Sequence, residues 1–175
     1  MRSVGLIALF FIVLASIANG QIPSGAYTTQ RAGREMAKEN YRVSSLEDGN
    51  IKAEADVSVG GVPAQKIAMT LNSAYKPISF SQAMNGRVML GELSGSTAKL
   101  ITAGQPERLV STNATAILEN LVWSHYIFLL LQYDASKGGR QSFSAFLPSG
   151  GRTISVKIER MPASAVSPQI AQTGW

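Results

Sequence analysis

Between residues 51 and 59 the chain reads IKAEADVSV, with an apolar residue at every second position. Ile51, Ala53, Ala55, Val57 and Val59 fall on one face, and Lys52, Glu54, Asp56 and Ser58 on the other. A period of two is that of a β-strand with one buried and one wet face. The run AQKIAMTLNS resumes the alternation after Gly60-Gly61-Val62-Pro63, with Ile67, Met69 and Leu71 in phase. Two such runs across a short Gly/Pro break predict an antiparallel hairpin. KPISFSQAMNG predicts a strand from about Ile78 to Met84, turned by Asn85-Gly86, a pair that accepts positive φ at both central positions. RVMLGELSG and STAKLITAG continue the series, and RLVSTNATAIL adds an edge strand. QSFSAFLPSGGRTISVKIERM predicts a last hairpin turning at Ser149-Gly150-Gly151. The stretch EMAKENYRVSS, before the Asp48-Gly49 turn signal, fits a strand or a short helix followed by one.

One segment breaks the pattern. NLVWSHYIFLLLQYDASKGG, from Asn120 to Gly139, is apolar in almost every direction around a 3.6-residue period. Such a helix is buried on most sides. Asn120 is a good N-cap, and Gly138-Gly139 cannot continue a helix cheaply. The segment is too short to cross a bilayer. A strand is the alternative, favoured by Val122, Trp123, Tyr126, Ile127 and Phe128. The fold class expected is therefore α+β: a curved antiparallel sheet of about seven to nine strands wrapped around one apolar helix, like a half-barrel.

The ends differ in composition from this body. MRSVGLIALFFIVLASIANG carries one charge, Arg2, then an apolar run and a small-x-small site. It reads as a secretory signal peptide over residues 1–20, cleaved before Gln21. Residues 21–34 read as a flexible lead-in, 35–161 as a single β-rich domain, and 162–175 as a linker-like tail rich in Pro, Ser and Ala. The expected location is exported, either periplasmic or secreted, and not transmembrane after cleavage. The tail's composition also suits a linker toward further protein.

Charge and composition narrow the function classes. The chain has 175 residues and a formal net charge of +5, which falls to +4 without Arg2. Its basic residues are scattered, with no dense run interleaved with aromatics, so a nucleic-acid interface is not expected. There is no Cys, which removes thiol chemistry, disulfides and Cys-type zinc sites. His125 is the one histidine, so no multi-His metal site exists. Ser124 beside it points about 100° away on a helix and forms no nucleophile–base pair. His125 reads as a hydrogen-bonded core or rim residue. Glu54 and Asp56 read as a solvated face beside Lys52. No phosphate loop and no GxSxG elbow occurs. Neither catalytic residue, nor metal, nor cofactor is expected, and the chain is read as not an enzyme. NAT at Asn113 fits a glycosylation sequon.

The layout from about Glu35 to Met161 resembles exported bacterial carriers of the LolA and LprG type. That resemblance implies a half-barrel whose concave face holds acyl chains. A second likeness is local. ENLVWSHYIFLLLQYDASKGGRQSFSAFLP, Glu119 to Pro148, is similar to N-terminal β domains of exported bacterial hydrolases, whose catalytic domain follows downstream. The expected function is thus a non-catalytic exported domain that binds a lipid or other apolar ligand. Met69, Leu71, Met84, Met89, Trp123 and Tyr126 are the candidate lining residues, or else they close the core. The alternatives are an accessory N-terminal domain of a longer exported hydrolase, or an interaction domain whose partner is an envelope protein.

Overall fold

Alternation in the sequence becomes a meander. A computed structural model describes Ile22 and residues 24–160. The signal peptide, assigned to residues 1–20, and the tail at 162–175 lie outside the described residues. Eight strands follow one another in order as neighbours: β1 (Gly25–Arg31), β2 (Arg34–Ser45), β3 (Ile51–Val59), β4 (Val62–Leu71), β5 (Pro77–Met84), β6 (Arg87–Ser94), β7 (Thr97–Thr102) and β8 (Arg108–Ser111). All pairings are antiparallel, so each link is a short turn. The sheet is not closed, and β1 and β8 are its edges. A second, three-stranded sheet follows from β9 (Ala116–Ile117), β10 (Arg140–Leu147) and β11 (Arg152–Glu159), with β9 parallel to β10. Between β9 and β10 lies α1 (Ser124–Leu130), the single helix among the described residues. The mostly β, α+β class is thus as expected.

Two expectations are corrected, and one open alternative is resolved. The lead-in at 21–34 is not structureless, because Gly25–Arg31 pairs with β2 along its length. EMAKENYRVSS is strand throughout, within β2. The helix does not begin at Asn120. Leu121 takes φ +62, in the left-handed region, so the chain turns at Glu119–Val122 before any helix starts. Trp123 is the N-cap position, without a side-chain cap of its own.

The sheet has one buried face. Tyr41, Ala55, Ile67 and Gln82 are cross-strand neighbours along one row, as are Ala53, Met69, Phe80 and Gly91 along another. Ala55, Ile67, Met69 and Leu71 are almost completely buried. Gly91 is required by its neighbour: any β-carbon there would collide with the Phe80 ring. Phe80 in turn meets Phe146 of β10, ring centroids 6.4 Å apart, and this pair joins the two sheets. Ala116, Leu118, Leu129 and Ala145 form a further cluster where the helix meets the small sheet. Burial of these faces is the main favourable term, at about 25 cal/mol per Å² of apolar surface.

Candidate functional site

Two buried polar groups stand on the same sheet face, and their surroundings differ. Glu39 of β2 is 1% exposed. Its carboxylate accepts the backbone N–H of Trp123 at 2.6 Å and that of Ser124 at 3.2 and 3.3 Å. It therefore caps α1 from a strand 84 residues earlier in the chain. Burial pushes its pKa up, while hydrogen bonds from Ser124 and Trp123 pull the other way. Trp123 adds an indole N–H donated to Thr29 Oγ1 at 2.7 Å, which ties the helix start to β1. The helix end is held by Gln132, whose amide donates to the carbonyls of Tyr75, Thr115 and Phe128.

Gln82 of β5 is 2% exposed, yet neither its Oε1 nor its Nε2 has a hydrogen-bond partner among the described residues. Its directly paired neighbours on this face, Ile67 and Met89, are apolar, and the diagonal Gln65 leaves its own Nε2 unpartnered. A buried amide left this way is costly, and native proteins seldom keep one without a reason. Gln82 lines an open recess of about 870 Å³. Met84, Met89 and Leu100 supply its apolar wall, and Arg87 and Arg108 stand at it. Pro148 and Ser149 close it from the β10–β11 turn. That turn is fixed by Glu119, whose carboxylate accepts the Ser149 N–H at 2.9 Å and the Ser149 hydroxyl at 2.7 Å. A second hollow of about 500 Å³ shares Met84 and Asn85 and includes Gln65, whose Nε2 is likewise unpartnered.

The six residues expected to line a site separate into three groups. Met84 and Met89 line the large recess. Met69 and Leu71 are 2% and 1% exposed and belong to the core. Trp123 and Tyr126 are half-buried and stack on each other at 6.1 Å, with Tyr126 packed against the cluster around Leu129; neither lines either of these two hollows. Gln82 was missed, although the sequence carries a signal for it. In ISFSQAM the residues in phase are Phe80, Gln82 and Met84, and a polar residue in the buried phase of a strand is an anomaly.

His125 is buried in the core, and its Nδ1 has no partner among the described residues. Burial pushes its pKa down to about 3, so the imidazole is neutral. Among the described residues there is no group of three or more His, Asp or Glu side chains able to hold a metal. No helix among them is long and apolar enough to cross a membrane. No protein-family model, no curated protein and no solved structure matches this chain.

Proposed function

We propose that this chain is an exported, non-catalytic domain that binds a lipid or other apolar ligand, with the large sheet curving around the helix as a half-barrel. The observation that carries the reading is the recess on the buried sheet face. Its volume, about 870 Å³, lies within the range of ligand sites, roughly 300–1,000 Å³. Its wall sets Met84, Met89 and Leu100 beside polar and charged side chains, so one recess can meet both the apolar and the polar part of an amphiphile. Methionine suits this role, because its unbranched side chain adapts to irregular chains. The likeness in layout to the LolA and LprG carriers supports the same reading.

Native mass spectrometry of the chain purified from an exported fraction tests it. Co-purified lipid that leaves on denaturation is the expected result. A clean apo mass, with no uptake of added lipid, would overturn it. One observation favours a second reading, an accessory or interaction domain: on the solvent face of β6 to β8, Val88, Leu90, Ile101 and Leu109 are 38–66% exposed. Contiguous exposed apolar surface of this kind marks contact faces. Under that reading the chain would be recovered with a protein partner rather than a lipid.

A further inference from the structure

We infer that the recess selects an anionic amphiphile that also carries an amide close to its charged end, and that Gln82 reads the amide. The inference rests on the ligand-binding reading above and names the ligand's chemical class. Three observations lead to it.

The first is the demand that Gln82 makes. A primary amide offers two N–H donors and one acceptor oxygen. Both ends of this one are without a partner and closed to water, on a side chain that lines the recess, so a ligand meets them once that side chain turns into it. A carboxylate can satisfy the Nε2 donors but cannot donate to Oε1. An acylated amino acid can answer both. Its N–H donates to Oε1, and its own carboxylate or carbonyl accepts from Nε2. In an extended residue the N–H and C=O lie on one side, the same relation by which paired strands exchange two hydrogen bonds.

The second is charge. Arg87 and Arg108 stand at the recess, and neither forms an ion pair among the described residues. The carboxylate between them in the lining, Glu107, is taken by Lys99 at 3.0 Å. The recess therefore presents positive charge to an entering ligand. Arginine suits a carboxylate, because its planar fork offers two parallel N–H bonds. Arg108 lies against the β10–β11 turn. Gly151, at φ +54, lies under its guanidinium, and a β-carbon there would collide with it. The third is the apolar wall of Met84, Met89 and Leu100, which fits an aliphatic chain without fixing its length.

The test is isothermal titration of the full-length chain with three probes of equal tail length. They are N-palmitoylglycine, palmitate, and a hexadecyl trimethylammonium salt. N-palmitoylglycine is expected to bind roughly tenfold more tightly than palmitate, the worth of answering one buried amide. The cationic probe is expected not to displace it. Gln82→Leu and the longer Gln82→Met are each expected to bring the ratio of the two acids close to one. The double variant Arg87→Ala, Arg108→Ala is expected to weaken both acids. Equal affinity for the two acids, or a tenfold ratio that survives in both Gln82 variants, overturns the inference and leaves lipid binding standing. If none of the three probes binds, the ligand-binding reading itself fails, and this inference with it.

Discussion

The buried face of the large sheet carries two polar side chains that are at most 2% exposed, Glu39 and Gln82, and only one of them is finished by the fold. Around Glu39 the chain returns to supply backbone N–H groups from Trp123 and Ser124. Around Gln82 it returns only with Pro148 and Ser149 at the recess, and Ser149 gives its N–H and hydroxyl to Glu119 instead. The first region is a closed core in which a carboxylate substitutes for a helix cap. The second is an open wall with an unanswered amide. Burial of a polar group does not by itself separate a structural role from a binding role; whether the fold answers the group does.

At neutral pH the largest effect should come from the closed region. Glu39→Ala leaves two buried N–H groups without an acceptor and removes the cap. Unfolding in urea is expected to show a loss of about 3 kcal/mol, the cost of leaving the two capped N–H groups unanswered. A loss below about 0.5 kcal/mol would mean that water answers those N–H groups as well as the carboxylate does. Gly91→Ala comes next. Its methyl group must displace the Phe80 ring and, through it, the contact with Phe146. The expected cost is about 2 kcal/mol, typical of overpacking, and an unchanged melting curve would show that the junction between the sheets is soft.

The third effect depends on pH. His125 has a folded pKa of about 3 against an ordinary 6.5, so between these values the unfolded chain binds a proton that the native one refuses. Stability is complete above about pH 6.5 and falls at up to about 1.4 kcal/mol per pH unit as the solution is acidified toward pH 3. Glu39 acts in the opposite sense. Its raised pKa lets the native state hold a proton after the unfolded carboxyl has released it near 4.5, so it favours the fold as pH drops through that interval. His125→Leu isolates the histidine. The gap between the variant's stability and the wild type's is expected to move in the variant's favour below pH 6.5, and parallel pH curves would contradict a buried neutral imidazole. The smallest of these effects lies at Leu121, held at φ +62. Leu121→Gly should relieve about 1 kcal/mol of left-handed backbone strain, seen as a higher urea midpoint.

What the sequence revealed of this comparison depended on distance along the chain. Strands β3 to β7 and the turns at Gly60, Asn85 and Gly151 were legible, because alternation and turn chemistry are local. β1 was not, since Gly25–Arg31 lies on an edge with little buried surface and takes its conformation from pairing with β2. β9 was hidden by its length: two residues cannot display a period. Asn120 looked like a cap because caps are usually supplied by the chain next to the helix; here Glu39 supplies it from a strand far away in sequence. Met84 and Met89 line a recess, whereas Met69 and Leu71 have the same alternation and lie in the core. No local pattern separates these pairs. The separation is set by what packs over each pair, and that is supplied by residues distant in sequence.

The most direct measurement is the urea unfolding of ligand-free Gln82→Met beside ligand-free wild type. If the Gln82 amide is buried and unanswered, replacing it with a side chain of similar length and no polar group removes a penalty. The account predicts an unfolding free energy raised by about 1 kcal/mol, seen as a higher midpoint with an unchanged m-value. A variant destabilised by about 1 kcal/mol or more would show that the apo fold already satisfies the amide. The open region would then be as finished as the one around Glu39.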